Sequence, residues 1–194
     1  MPNFAAFISY VLVTTFTPGP NNIMAMSNAS RNGFKKSTLF NVGMTFGFFF
    51  VIGFCSIFSV VLYNLIPTIK PVMTYIGAAY ILWLTWKTYN SKPPGESEGK
   101  NNAYTFTSGL LLQFVNPKVI LYGITTVSTF IVPYYKSVAV LTGFSALLAV
   151  VGFTAVTCWS LFGAAFQKIL ANNNRFINIV MSLLLLYCAV SLFL

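Results

Sequence analysis

Six long apolar segments, separated by short stretches that carry the charges, make up most of this sequence. They cover about 1–30, 38–62, 71–89, 105–132, the residues between Lys136 and Lys168, and 176–194. Each is close to or longer than the ~20 residues that a helix needs to cross ~30 Å of hydrocarbon. The apolar runs are continuous rather than alternating, which favours helices over a membrane β-barrel. The pattern therefore predicts an all-α membrane protein with six transmembrane helices.

Composition agrees with a protein whose solvent is the bilayer. Hydrophobic residues make up 57% of the chain and charged residues 7%, against about 25% charged in ordinary soluble domains. The net charge of +9 would suggest nucleic acid in a soluble protein, but here the cations sit between apolar runs and form no basic stripe. We expect no binding of nucleic acid.

The scarcity of acids and the absence of histidine limit the chemistry. The chain has no Asp and no His, and its two acids, Glu96 and Glu98, share one polar stretch. A carboxylate pair, a histidine base or a His/Asp metal site cannot be built in the membrane from these residues. The sequence therefore predicts no enzyme, no metal and no cofactor.

The positions of Lys and Arg predict the orientation. Eight of the 11 fall in the stretches 31–36, 87–100 and 168–175, whereas Lys70 and Lys136 lie on the opposite side. Loops rich in Lys and Arg face the cytoplasm, which places both termini outside. No cation precedes the first apolar run, so we expect that run to remain as a helix rather than act as a signal peptide.

A weak internal repeat divides the chain into halves. Pro18 and Pro117 are 99 positions apart, and Val51-Ile52-Gly53-Phe54 is similar to Val150-Val151-Gly152-Phe153 at the same offset. Two halves of three helices each would have opposite topology, which is the inverted-repeat plan of many transporters. We predict a first half at 1–89, a cytoplasmic polar loop at 90–104 and a second half at 105–194. Spans three and six show no match at this offset.

The first span contains a helix-breaking motif, Thr17-Pro18-Gly19-Pro20-Asn21-Asn22. Proline inside a helix deletes a backbone donor and clashes with the preceding turn. Broken backbone at membrane depth must be covered by protein or line a wet cavity, where Asn21 and Asn22 offer amide donors and acceptors. The alternative is a simple cytoplasmic helix end, because Arg31 follows nine residues later.

The fourth span contains the counterpart, with Gln113 followed by Asn116-Pro117-Lys118. Lys118 lies roughly 20 Å along this span at helical rise. A lysine near the midplane is costly unless it has a partner or water. It is a candidate partner for a substrate carboxylate, helped by the exposed N–H groups of a half-helix; the alternative is snorkelling to an interface. In span two, Gly43 and Gly47 form a GxxxG motif that predicts close helix packing.

These motifs resemble the LysE/RhtB family of amino-acid exporters. The likeness runs nearly end to end and includes Thr17–Asn22, Asn116–Lys118, Gly77–Ile81, Leu121–Gly123, Asn178–Val180 and Tyr187–Val190. It implies a secondary transporter in a bacterial inner membrane that exports small neutral amino acids, cysteine or O-acetylserine above all. Export of homoserine, threonine or another amino acid, or a channel-like facilitator, stays open.

The substrate-binding residues expected from these motifs and from the resemblance are Thr17, Pro18, Gly19, Pro20, Asn21, Asn22, Gln113, Asn116 and Lys118. Since no intramembrane acid or histidine is present, proton coupling would run through Lys118 or the substrate. The expected partners are the amino acid and membrane lipid, and the sequence leaves a homo-oligomer open. A thiol-based electron carrier is disfavoured, because Cys55, Cys158 and Cys188 lie away from the prolines that break the helices.

Overall fold

The structure, a computed structural model, describes residues 4–90, 104–169, 174–191 and 193, and within these ranges it is predominantly helical and contains no strand. In chain order the helices are α1 Phe4–Phe16, α2 Pro20–Asn32, α3 Phe34–Ile57, α4 Ser59–Tyr89, α5 Phe106–Val115, α6 Pro117–Thr126, α7 Val138–Ile169 and α8 Asn174–Ser191. A π-helical turn, Val127–Ile131, extends α6. Apart from its two ends, the polar loop predicted at 90–104 lies outside the described residues, and so do Glu96 and Glu98.

Both predicted helix breaks are present. Proline occupies the first turn of α2 and of α6, where its missing N–H costs nothing. The residue before a proline is driven out of the helical region, and Gly19 (φ −170°, ψ 171°) and Asn116 (φ −82°, ψ 107°) are both extended. Proline chemistry thus ends α1 and α5 and restarts the chain as α2 and α6.

Several described helices suit a membrane by length and composition. Helix α3 and residues 138–166 of α7 are each long and apolar enough to cross, and α5 with the segment 117–131 passes as one span bent by 64°. Helix α1 and residues 178–190 of α8 are shorter apolar helices. The six-span topology and the inverted repeat stay predictions.

The boundary between the second and third long helices lies at Phe58, earlier than the gap between the spans predicted at 38–62 and 71–89. Helix α3 ends at Ile57, and α4 runs without interruption from Ser59 to Tyr89. Lys70 precedes Tyr89 by 19 residues, or about 29 Å at helical rise, which is close to the thickness of the hydrocarbon core. The predicted third span, 71–89, is therefore the second part of a longer helix.

Glycines set the closest helix contacts. A methyl group at Gly43 would overlap the backbone of Phe106 on α5, and one at Gly47 would overlap Leu110. The predicted packing role of this GxxxG pair is confirmed. On α7, Gly163 meets the carbonyl of Met26 in the same way, which brings α7 directly against α2.

Helix α2 is polar in sequence yet lies inside the protein. Ser27, Asn28 and Ser30 on this helix are at most 1% exposed, and α2 packs against α3, α7 and α8. Asn41 on α3 donates to the Ser160 hydroxyl at 2.8 Å, and that hydroxyl donates to the Ala25 carbonyl at 3.3 Å. A neighbouring helix thus supplies a polar contact to the α2 backbone that lipid could not, whereas the Ser27 hydroxyl and the Asn28 amide nitrogen have no hydrogen-bond partner among the described residues.

Candidate functional site

The carboxyl end of α1 exposes carbonyl oxygens that side chains from three other helices bind. The Asn22 amide of α2 donates to the carbonyls of Thr15 (2.9 Å) and Thr17 (2.8 Å). The Trp159 indole of α7 donates to the Phe16 carbonyl at 3.2 Å. A helix leaves its last four carbonyls without intrahelical partners, so these bonds fix the end of α1 in place.

Lys118 of α6 supplies the third contact. Its ammonium nitrogen lies 3.1 Å from the Thr17 carbonyl, 3.1 Å from the Thr17 hydroxyl and 3.3 Å from the Pro18 carbonyl. A cation at the carboxyl end of a helix also interacts favourably with the helix dipole. The two helix breaks, separated by about a hundred residues in sequence, therefore meet at this half-buried lysine.

A cluster of three amides joins the same two breaks. The Asn21 amide nitrogen donates to the Gln113 oxygen at 2.6 Å, and the Asn21 oxygen accepts from Gln113 at 3.2 Å and from Asn116 at 2.7 Å. The Asn116 oxygen accepts from the Lys118 backbone N–H at 3.1 Å and caps α6. Gln113 and Asn116 are at most 2% exposed. Buried amides that satisfy one another in this way hold both breaks in a single arrangement.

Two cavities adjoin the meeting point. Cavity A is lined by Thr14, Thr15, Gly19, Asn21, Asn22, Met44, Thr45, Phe48, Asn116, Lys118, Val119, Tyr122, Gly152 and Val156. Cavity B is lined by Tyr10, Thr14, Thr17, Pro18, Gly19, Pro20, Lys118, Leu121, Tyr122, Thr125 and Cys188. Lys118 and Gly19 border both cavities, so the lysine contact with α1 lies where the two cavities adjoin.

The structure brings all the sequence-predicted site residues together, in three different positions. Five line cavity A, namely Gly19, Asn21, Asn22, Asn116 and Lys118. Thr17, Pro18 and Pro20 line cavity B. Gln113 lines neither cavity and is placed as the hydrogen-bond partner of Asn21.

Sequence reasoning missed several lining residues. Tyr122 lies one helical turn after Lys118 and could have been found from the i, i+4 spacing. Its hydroxyl is buried beside Thr15 and Thr126 without a hydrogen bond of good geometry to any described residue. Met44 and Phe48 come from α3, whose apolar sequence contains no signal for a cavity.

Comparisons with known proteins identify the family of the chain. The family model described as LysE type translocator matches residues 12–194. The chain is 42% identical over 189 residues to the cysteine/O-acetylserine efflux protein of Escherichia coli strain K12, covering 97% of this chain and 96% of the relative. The protein of the same description from Escherichia coli O1:K1 is equally similar, at 42% identity over the same coverage. No solved structure is a significant match.

Proposed function

The chain belongs to the family of LysE-type translocators, and on that premise we propose that it exports small neutral amino acids, cysteine and O-acetylserine in particular, from the cytoplasm. Family membership makes it an integral membrane transporter rather than an enzyme. The named relatives supply the proposed substrates, and the site supplies the chemistry that would bind them.

The meeting of the two helix breaks at Lys118 is the observation that carries this proposal. The lysine offers a cation for a carboxylate, and the oxygen-rich end of α1 offers acceptors for an ammonium group. Met44 and Phe48 line the same cavity and suit a small side chain that is uncharged. Such a site fits a zwitterion without a charged side chain, because the described residues include no carboxylate to balance a second cation.

Counterflow into proteoliposomes tests which amino acids the protein transports. Vesicles are loaded with an unlabelled amino acid, and uptake of labelled cysteine, O-acetylserine, homoserine, threonine and lysine is followed. We expect cysteine and O-acetylserine to exchange and lysine not to exchange. Selective exchange of homoserine or threonine would keep the exporter and discard the substrate, whereas no saturable exchange of any of them would contradict the proposal.

The same vesicles also test whether a proton gradient drives export. The sequence contains no Asp and no His, so we propose that coupling to protons, where it operates, uses Lys118 or the substrate itself. Export by a coupled carrier should speed up when a pH gradient is imposed. Export that ignores the gradient would identify a channel-like facilitator or a uniporter.

We further propose six spans, with α1–α2 and α5–α6 each forming one broken span. The two halves, 1–89 and 105–194, then have inverted topology around the cytoplasmic loop 90–104. Proline in the first turn of both α2 and α6 supports the symmetry, and the excess of cations in odd-numbered loops supports external termini. The relatives from Escherichia coli support a bacterial inner membrane.

A further inference from the structure

The Lys118 ammonium group sits in a cradle of three oxygens at the end of α1, formed by the Thr17 carbonyl, the Thr17 hydroxyl and the Pro18 carbonyl. All three lie within 3.3 Å of its nitrogen. Three acceptors around one nitrogen match the three N–H donors of a primary ammonium group. The cradle is therefore shaped for an ammonium ion in general, and the lysine is the ammonium ion that this structure places there.

Contacts that do not involve the lysine also hold the cradle. Asn22 donates to the Thr17 carbonyl at 2.8 Å, and Trp159 fixes the neighbouring Phe16 carbonyl at 3.2 Å. The Thr17 hydroxyl donates to the Thr14 carbonyl at 3.0 Å, which leaves its lone pairs directed away from that bond. The two Thr17 oxygens thus remain positioned when the lysine side chain moves.

The lysine side chain has space to leave the cradle. Both cavities reach Lys118 and Gly19, and a lysine stem has four flexible carbons. Gly19 has no side chain next to the lysine, whereas a β-carbon there would lie 2.8 Å from both Cδ and Nζ of Lys118. Space on both sides and a flexible stem make an exchange of ammonium groups sterically feasible.

We propose that the oxygen cradle of Thr17 and Pro18 is the subsite for the α-ammonium group of the transported amino acid, occupied by the Lys118 ammonium group when substrate is absent. On binding, the substrate's ammonium group replaces that of the lysine, and the displaced lysine pairs with the substrate's carboxylate. The inference rests on the proposed function, since it assigns the two ends of that substrate to two sets of atoms.

The exchange selects for zwitterions because it conserves every polar contact. An amino acid supplies one ammonium group to the cradle and one carboxylate to the lysine. An acid without the ammonium group leaves the cradle without a donor, and an amine without the carboxylate leaves Lys118 without a partner at membrane depth, which is costly. A site built around a polar group rejects analogues that lack it far more strongly than it rejects a change in apolar size.

O-acetylserine and N-acetylserine provide a matched pair of probes, because they are isomers that differ only in which atom carries the acetyl group. In counterflow we expect O-acetylserine to exchange and N-acetylserine to compete at least about tenfold more weakly. Cysteamine, which is cysteine without its carboxyl group, should compete as poorly. Equal competition by N-acetylserine would overturn the subsite while leaving the exporter intact.

If another amino acid in the panel exchanges, the same comparison is made between that amino acid and its N-acetyl derivative. A different transported amino acid would change the substrate but still test the cradle. Exchange of none of the amino acids would reject the proposed function, and the subsite with it. The two failures are therefore distinguishable.

A variant at Thr17 distinguishes the loss of an acceptor in the cradle from a general loss of stability. Thr17→Val removes one acceptor of the three, and we expect the half-saturating substrate concentration to rise about tenfold, the effect of one hydrogen bond to a charged group. Thr17→Ser should restore it. Thr38→Val, which removes a hydroxyl bonded within α3 to the Phe34 carbonyl, is the control. An unchanged half-saturation in Thr17→Val, in a protein with normal thermal stability, would contradict the inference.

Discussion

At the residue scale, Gly19 and Gly43 show how the same residue type serves two purposes. A β-carbon at Gly43 would overlap the backbone of Phe106, which cannot yield, while the nearest atoms to one at Gly19 belong to the flexible side chain of Lys118. The φ of Gly19, −170°, is extended backbone that alanine also adopts. The glycine at 43 is thus required by helix packing, and the glycine at 19 by the lysine.

The two glycines should therefore respond differently to alanine. Gly19→Ala should leave folding intact and lower the rate of substrate exchange about tenfold, because the added β-carbon would lie 2.8 Å from the position of the ammonium nitrogen and crowd the cradle that the substrate's ammonium group enters. Gly43→Ala should destabilise the fold by about 1–3 kcal/mol, as overpacking does. Thermal unfolding in detergent measures the effect on stability, and counterflow in vesicles measures the effect on exchange. A Gly19→Ala protein with wild-type exchange would contradict a substrate site beside Gly19 and Lys118.

Asn21 forms hydrogen bonds with both other members of the amide cluster. Replacing it with leucine leaves the Gln113 oxygen without its donor at 2.6 Å and the Asn116 amide without its acceptor at 2.7 Å. We expect Asn21→Leu to cost about 1–3 kcal/mol, the penalty for burying unpaired polar groups.

A double-mutant cycle measures the energetic coupling between Asn21 and Gln113. If the amides act as one network, Asn21→Leu combined with Gln113→Leu should destabilise the protein by less than the sum of the single variants. Strict additivity, measured by chemical or thermal unfolding in detergent, would mean that the amides do not support one another.

At the element scale, the proline-containing breaks explain why two polar helix ends can exist inside a membrane protein. The broken backbone of α1 would need its carbonyls covered, and Asn22, Trp159 and Lys118 cover them from α2, α7 and α6. Helix α1 itself has only Phe7 and Val11 buried. Apolar packing thus holds the earlier turns of α1, and polar bonds to three neighbouring helices hold its carboxyl end.

Removing both prolines of the first break should close it. In Pro18→Ala/Pro20→Ala we expect α1 and α2 to gain helical continuity, so that the Thr17 and Pro18 carbonyls turn into the helix and leave Lys118. Exchange should fall at least about tenfold while the protein remains folded. Pro133→Ala, in an exposed turn after the π-helical turn, is the control, and normal exchange in the double variant would show that the break is dispensable.

The elements differ in how far their sequences predict them. Both breaks follow from proline chemistry, and the packing of Gly43 and Gly47 follows from a spacing rule, so local sequence suffices for them. The start of α4 at Ser59 is not predicted, because no charge or proline marks it in the sequence. The sequence assigns the two breaks to one site, but the pairing of Lys118 with Thr17 and the cap by Trp159 join distant helices, and a single sequence does not show which atoms make such contacts.

At the scale of the whole molecule, orientation decides which side supplies the substrate. The cations near the start of α3 belong to a loop predicted to be cytoplasmic, whereas Lys136, in the exposed turn before α7, is predicted to be external. Export requires the site to be reached first from the cytoplasmic side, so the cations near the start of α3 mark the side where substrate enters, and Lys136 marks the side where it leaves.

Single reporter cysteines test this orientation. Cys55, Cys158 and Cys188 are first replaced by alanine, and Lys35→Cys or Lys136→Cys is then introduced, both at exposed positions. A maleimide that does not cross membranes should label Lys136→Cys in intact cells and Lys35→Cys only after permeabilisation. The reverse pattern would place the termini in the cytoplasm.

The most direct test of whether the amino acid binds where the two helix breaks meet is counterflow of O-acetylserine by the Lys118→Met variant. The wild type and Lys136→Met are measured beside it as controls. Methionine keeps most of the length of the side chain and removes its charge. We expect Lys136→Met to exchange like the wild type and Lys118→Met to lose at least about 90% of exchange while it remains folded, consistent with the loss of one charged partner. Full exchange by a folded Lys118→Met protein would contradict a substrate site at this lysine.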